Sequence, residues 1–579
     1  MTRSTRTASA PAATGHATQL NIATRIVDQH VSSGSGDRPA IRSLSRRDPA
    51  DAGGRVLTYA ELAADTDRFA HALRLLGLRQ GETLFLLGTR TPELYIALLG
   101  ALKAGLLVCP LFSAFGPEPI RQRMELGDAA ALVTTEILHR RKIAPIRDQL
   151  GVRHVILLDA DDATDRDADR ASPHGVVSSS TIMSEAPSTA FEPSTGPEDP
   201  ALLHFTSGTT GTPKGAVHVH AAVAMHHATT RDVLGVRDGD VYWCTADPGW
   251  VTGTSYGVIG PLSAGATMIV DEAEYDAERW YGILDRHRVD VWYTAPTAIR
   301  MLMRAGADLP GRFDLTRLRS AFSVGEPLGT DAARWGAEHL GTPFRDSWWQ
   351  TETGAIMIAT AWDAPPREGA IGTAVDGIEA TVLRTDDEGE VVVDAEGHVE
   401  EITDPETIGM IALRPGWPSM FRTYLNNEDR YRRAFADGWY LSGDLARRDA
   451  DGYFWFVGRG DDVIKTAGHL IGPFEVEQVL NDHDDVTGSG VYGVPDPVAG
   501  AVVHARVVLR QGVEPSEETI TGVMAHARRR LGPALAPREI VAVDSLPTTR
   551  SGKVMRRLLR ARELGLPEGD LSTLEGGQS

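Results

Sequence analysis

Lysine is scarce in this chain. Of 58 basic residues only Lys103, Lys142, Lys214, Lys465 and Lys553 are lysines; the rest are arginines. A compact ammonium and a planar guanidinium are not interchangeable partners for phosphate, so a lysine kept in an arginine-dominated chain is a candidate for a role. Lys103 and Lys142 lie in no motif and are expected at solvated surface positions. Cysteine is scarcer still. Cys109 and Cys244 are far apart in apolar sequence, which argues against a disulfide framework and fits a reducing, cytoplasmic compartment. Basic charge is in deficit: the net charge of −21 argues against a nucleic-acid partner and leaves no basic footprint for a membrane. Long apolar runs are missing too. The most apolar stretch, residues 93–115, is broken by Lys103, Gly105 and Pro110, so it reads as a core helix followed by a strand rather than a membrane span. Residues 1–19 lack the apolar core of a secretory signal and are expected to form a disordered tail, with a transit peptide as the alternative.

What is present is ordinary for a globular enzyme: 579 residues, 42% apolar and 24% charged, enough for at least two domains. Thr58, with Glu61 three residues on, has the spacing of a capping box opening an amphipathic helix to about Leu76. Strand and helix patterns then alternate through residues 84–87, 93–104, 106–111 and 130–134, the mark of an α/β fold. Residues 159–200, acidic and rich in Ser, Pro and Ala, read mostly as a mobile surface excursion. Four histidines, His218, His220, His226 and His227, match no zinc-ligand spacing and are expected to serve packing and helix-surface roles.

The chain's most telling stretch follows a short apolar strand at residues 201–205. It runs Thr206, Ser207, Gly208, Thr209, Thr210, Gly211, Thr212, Pro213, Lys214, Gly215. Three glycines, five hydroxyls and one lysine can turn many backbone N–H groups and a cation toward one polyphosphate. The Walker spacing does not fit, because Pro213 occupies the place of its second glycine. Residues 216–230 read as either a helix or a second strand.

Four further turn-rich loops follow: residues 244–253, containing Trp250, Val251 and Thr252; 293–300; 323–328, containing Val324, Gly325, Glu326 and Pro327; and 346–354, running Asp346, Ser347, Trp348, Trp349, Gln350, Thr351, Glu352. Each ends a strand pattern, where an open α/β sheet places its ligands. With the phosphate-type loop, in this order and with paired tryptophans, the set resembles the acetyl-CoA synthetase branch of the adenylate-forming acyl-CoA synthetases, over residues 57–564.

That resemblance implies an α/β fold: a large N-terminal multi-layer α/β domain (residues 20–459) and a small mobile α+β C-terminal domain (460–565), with tails at 1–19 and 566–579. It implies an ATP-dependent acetate–CoA ligase working through acetyl-AMP, with ATP and CoA as co-substrates and Mg2+ as cofactor. ATP and AMP would be held by Thr206 to Gly211, Lys214, Gly325, Glu326, Pro327, Asp346 to Thr351, Asp444 and Arg459. Glu352 would hold magnesium, as a carboxylate suits a hard cation, with Thr209 beside it and His483 at a minor cation site near Asn481 and Val486. Trp250, Val251, Thr252, Val324 and Trp349 would form the acyl pocket. Thr252, Ala467 and Gly468 would line the CoA tunnel, Asp461 would be the hinge, and Lys553 the catalytic lysine and a target for a lysine acyltransferase and deacylase. Leu470 stands where the branch carries Arg. A propionate or short branched-chain acid ligase is the neighbouring reading, and a non-catalytic adenylate-binding regulator is the reading from another class.

Overall fold

The Thr58 hydroxyl accepts from the Glu61 backbone N–H while the Glu61 side chain accepts from the Thr58 N–H, so the expected capping box closes over helix Tyr59–Leu75. The computed structural model describes residues 19–49, 53–158, 175–206, 213–386, 389–460, 462–466, 469–497, 500–549, 552–568, 571 and 574. Strand Thr83–Leu87, helix Pro92–Lys103 and strands Leu107–Pro110 and Ala129–Thr135 follow in the expected order. Strands Thr83–Leu87 and Leu107–Pro110 are buried at every residue, which is why they read as continuous apolar runs without alternation.

Four sheets form among the described residues. An eight-stranded sheet carries Thr83–Leu87, Leu107–Pro110, Pro200–Thr206 and Lys214–Val219, and ends on the short strand Thr423–Tyr424. A nine-stranded sheet carries Val241–Cys244, Val291–Thr294, Ser320–Val324 and Phe344–Trp348 as parallel neighbours. A five-stranded antiparallel sheet pairs Trp439–Arg448 with Phe454–Arg459. These make a large α/β domain. The fourth sheet, around the hairpin Val486–Asp496 and Gly500–Leu509, packs with helices Pro473–Asn481, Glu517–Leu535 and Arg556–Leu564 into a small C-terminal α+β domain. Its core is separate: Ile464, Val476, Val491, Val507, Val523 and Ile540.

Several expectations change. Lys103 is fully buried, not solvated, because its ammonium meets Asp28 at 2.7 Å and Asp67 at 2.6 Å. A buried cation needs such partners, and they come from elements distant in sequence. Lys142 is half-buried and donates to the Ser113 carbonyl at 2.7 Å. In the supposed surface excursion, residues 159–174 lie outside the described residues. Strand Val176–Ser178 extends the eight-stranded sheet, and helix Ser179–Glu185 starts from the Ser178 side-chain cap. Residues 216–230 contain both alternatives: the end of strand Lys214–Val219, from residue 216, and most of helix Val223–Asp232, to residue 230. No described helix is long and apolar enough to cross a membrane.

Candidate active site

Because four parallel strands of the nine-stranded sheet are neighbours, the four loops that follow them emerge side by side at its carboxyl edge, the ligand-binding edge of an open α/β sheet. The turn at Gly325 needs glycine, since its φ of +92° is costly for residues with a Cβ. Glu326 stiffens that turn: its carboxylate accepts from Thr297 Oγ1 at 2.8 Å and from Arg300 at 2.7 Å. Asp346 accepts from the backbone N–H groups of Leu328 (3.1 Å) and Ser347 (2.9 Å), and burial pushes its carboxyl up to about 6.

Asp444 is the electrostatic centre. It is buried, yet its carboxylate accepts from Trp348 Nε1 at 2.9 Å and Gln350 Nε2 at 2.8 Å. Arg459 stands opposite it across the antiparallel pair, with its guanidinium at 3.8 Å. Tyr440 donates to Gln350 Oε1 at 2.8 Å, which orients the amide so that its N–H end meets Asp444. Burial raises the Asp444 pKa, while Arg459, Trp348, Lys553 and Gln350 pull it down. Asp444 and Arg459 therefore present an oriented carboxylate and a cation to one space, suited to a ribose diol and a phosphate.

A second charged group lies at the edge of the eight-stranded sheet. Thr206 and Lys214 are cross-strand partners, so the phosphate-type loop is the connection between them; Ser207, Gly208, Thr209, Thr210, Gly211 and Thr212 lie outside the described residues. Lys214 stands with its ammonium 6.0 Å from the Tyr424 ring centre. Tyr424 donates to Glu352 Oε1 at 2.7 Å, and no described residue bonds Oε2. Ser419 offers its backbone carbonyl to His218 Nδ1 at 3.0 Å. His204, His218 and His226 are buried beneath this region and His220 beyond the far end of the same strand pair, against Ile22, and desolvation lowers their pKa values to about 3 for His204 and about 4 for the other three.

Trp349 is held rigidly. Its indole N–H donates to Tyr293 Oη at 3.1 Å and its ring stands edge-on to Tyr256 at 5.1 Å. Val324 belongs to the same apolar cluster. Ser347 Oγ donates to the Ser323 carbonyl at 2.7 Å and lies 2.8 Å from the Tyr293 hydroxyl, which locks the whole wall. Val251 and Thr252 are half-buried at the start of helix Val251–Thr254. Trp250, at its N-cap, packs against Phe112 with ring centres 5.0 Å apart, in a different cluster.

The small domain meets this edge through helix Pro296–Arg304. A Cβ at Gly552 would collide with the Thr297 side chain, and Arg304 donates to the Thr487 carbonyl. Lys553 follows Gly552 in a turn closed by Gly552 N–H to Thr549 O and Thr549 N–H to Lys553 O, both 2.7 Å. That turn holds Lys553 near enough to act on Asp444. A cavity of about 350 Å3 runs from Pro327, Leu328 and Asp346 to Phe474, Glu475 and Gln478 of the small domain. Asp461, Ala467 and Gly468 lie outside the described residues, and for Leu470 only the backbone is described, in strand His469–Ile471. His483 is half-buried, edge-on to His526 at 5.3 Å, and its Nδ1 accepts from the Asp485 N–H at 3.2 Å. Asn481 is exposed and accepts from Ser489, and Val486 is buried.

Sequence reasoning missed the tyrosines. Tyr424, Tyr256 and the hydroxyl of Tyr440 orient Glu352, Trp349 and Gln350, but a lone tyrosine has no spacing to betray it. Thr297 and Arg300 were visible only as members of a turn-rich loop.

The sequence profile of the AMP-binding enzyme family matches residues 28–424, and that of the AMP-binding enzyme C-terminal domain matches residues 475–553. The acetyl-coenzyme A synthetase of Bacillus subtilis is 39% identical over 568 residues, covering 96% of this chain and 93% of its own. That of Deinococcus radiodurans is 37% identical over 96% of this chain and 86% of its own. Among solved structures, an anthranilate CoA ligase in complex with anthranoyl-AMP superposes with a TM-score of 0.82 at 26% identity, covering 94% of this chain and 98% of its own. A Brucella canis acyl-CoA synthetase gives 0.70 at 32% identity, covering 95% and 96%. With the family profile over more than half its length and kinship to these synthetases over nearly all of it, the chain belongs to the AMP-binding enzyme family, in its acetyl-coenzyme A synthetase branch.

Proposed function

We propose that the protein is an AMP-forming acid–CoA ligase acting on acetate. One observation carries the reading: an oriented carboxylate–guanidinium pair, Asp444 and Arg459, faces a lysine delivered by the other domain, Lys553. Acetate attacks the α-phosphorus of ATP, giving acetyl-AMP and pyrophosphate. Both reactants are anionic, so the task is alignment and charge neutralisation without a covalent enzyme intermediate. Asp444 takes the ribose hydroxyls. The Gly325–Pro327 turn and the stretch from Asp346 to Thr351 enclose adenine and ribose. Arg459 and Lys553 offset the charge at the α-phosphate, and Lys214 with the Thr206 to Gly211 loop holds the leaving pyrophosphate.

The donor set fits magnesium. Glu352 offers a carboxylate of which Tyr424 engages only Oε1, and Thr209 of the loop would join it; oxygen ligands suit this cation. Magnesium bound there would neutralise phosphate oxygens. The small domain then turns about Asp461, withdrawing Lys553 and bringing Ala467 and Gly468, with Thr252, around the CoA thiol, which attacks the acyl carbonyl and releases AMP. Trp349, Val251, Thr252 and Val324 confine the acyl group to a methyl, with Trp250 behind. Acylation of Lys553 by a lysine acyltransferase would remove its charge and stop the first step, and a deacylase would restore it. The unpaired Cys109 and Cys244 suit a reducing, cytoplasmic setting.

ATP–pyrophosphate exchange across acids of two to eight carbons tests this. Acetate is expected to give the highest kcat/KM. No acid-dependent exchange would overturn the ligase reading, and a higher value for butyrate would overturn acetate.

A further inference from the structure

We propose that the small domain carries a divalent metal site of the zinc type, formed by His504, Glu539 and Glu563. Regular structure fixes the three. His504 and Glu539 are register partners on the parallel strands Gly500–Leu509 and Glu539–Ala542, and Glu563 reaches them from helix Arg556–Leu564. One ligand atom from each lies within 4.8 Å of the other two. His504 Nδ1 stands 3.6 Å from Glu563 Oε1 and 3.9 Å from Glu539 Oε2. These separations exceed a hydrogen bond. They suit atoms that share one ion, since two ligands about 2.1 Å from zinc at a tetrahedral angle lie about 3.4 Å apart.

The imidazole supplies the second, independent indication. His504 is 8% exposed, and its Nδ1 is buried without a hydrogen-bond partner. Leaving such an atom unsatisfied is costly, and here it is aimed between two carboxylates. Arg506 pairs with Glu563 Oε2, to which Tyr492 also donates at 3.4 Å, while its other terminal nitrogen stands 3.6 Å from Glu539 Oε1, too far for a hydrogen bond. Each carboxylate thus turns one oxygen to Arg506 and the other to His504, the outer-shell pattern that orients metal ligands. Two carboxylates face a single guanidinium here, a formal excess of negative charge that a cation offsets. Three protein ligands leave a fourth position for water.

The position gives the site a consequence. Helix Arg556–Leu564 follows directly on the Lys553 turn. Its first residue is pinned by Arg556 to Glu477, at 2.7 Å through Nε and 2.5 Å through a terminal nitrogen. An ion on Glu563 would add a second tie between its other end and the sheet, beside the pair with Arg506.

The test uses the full chain, stripped with a chelator, dialysed against Zn2+ alone and separately titrated with Co2+. Wild type is expected to retain one equivalent of zinc more than His504→Gln. It should also show the visible absorption of low-coordinate cobalt, lost in His504→Gln and at least about tenfold weaker in Glu539→Gln. Glu539 lies at the surface, so Glu539→Gln reads the site without the risk of unfolding, and circular dichroism confirms the fold of both variants. Zinc should raise the thermal midpoint of wild type by more than that of either variant. Equal zinc content in wild type and both variants, or no site-dependent cobalt absorption, overturns the proposal and leaves a cluster of ion pairs around Arg506.

Discussion

The two sides of the candidate active site are built differently. On the large-domain side, Asp444 is held by Trp348 and Gln350, Gln350 by Tyr440, and Trp349 by Tyr293. All of these bonds rest on sheet strands or the loops leaving them, so binding geometry exists before any ligand arrives. On the small-domain side, Lys553 sits in a self-closed turn that touches the large domain by packing at Thr297. A self-closed turn survives being lifted away, whereas a woven one does not. The contrast assigns recognition to the large domain and movable charge to the small one.

The largest effect should come from removing that charge. Lys553→Ala is expected to cut acid-dependent pyrophosphate release by about 10²–10³-fold, the loss of one electrostatic donor to a developing charge, with ATP affinity nearly unchanged. Conversion of supplied acetyl-AMP and CoA should survive. Equal loss in both half-reactions would erase the division of labour. Asp444→Ala should do the opposite, raising KM for ATP by roughly 10–100-fold, since hydrogen bonds to charged groups are worth about 1.5–3 kcal/mol. Steady-state kinetics over a range of ATP concentrations separates the two variants, and a kcat defect alone would contradict the binding role of Asp444. Gly552→Val keeps Lys553 but forces the turn off Thr297, a clash of about 1–3 kcal/mol. Adenylation should fall about tenfold while ATP binding holds, and an unchanged rate would mean that the packing does not place the lysine.

Trp349→Gly probes the recognising side by size. Each added methylene gains about 0.8 kcal/mol if buried, so a locked indole has to exclude longer acids sterically. Its removal should move the kcat/KM optimum from acetate to acids of four to six carbons. A uniform loss with unchanged ranking would show that Trp349 serves the nucleotide instead. The smallest effect per group is on stability. His204, His218, His220 and His226 have folded pKa values lowered to about 3–4. Below about pH 6.5 the unfolded chain binds protons that the native chain refuses, so stability is lost as pH falls from 6.5 toward 4. The loss is about 1.4 kcal/mol per pH unit for each histidine. His204→Leu should flatten the fall of Tm between pH 6.5 and 5.5 by about one proton's worth, and an identical slope would remove these residues from the account.

Legibility in the sequence followed chemistry that is local. The capping box at Thr58, the buried strands and the loops at the carboxyl edge could be read because their causes lie within a few residues. Lys103 was misread because Asp28 and Asp67 neutralise it from elements far away in the chain. Residues 175–200 looked like a surface excursion because strand Val176–Ser178 is three residues long, too short for periodicity. Asp444 was legible only through the family resemblance, and its dependence on Trp348, Gln350 and Tyr440 was not legible at all, since hydrogen bonds between segments about ninety residues apart leave no spacing.

The burial of Lys103 in its pair of carboxylates has a chemical consequence. An acyl adenylate is a mixed anhydride that acylates any free amine it meets, while a guanidinium, protonated at every physiological pH, is inert to it. With Lys103 sealed inside and Lys142 half-buried on the Ser113 carbonyl, two of five amines are shielded, and the surface cations are almost all arginines. Self-inflicted acetylation by escaping intermediate therefore finds few targets away from the turn that carries Lys553.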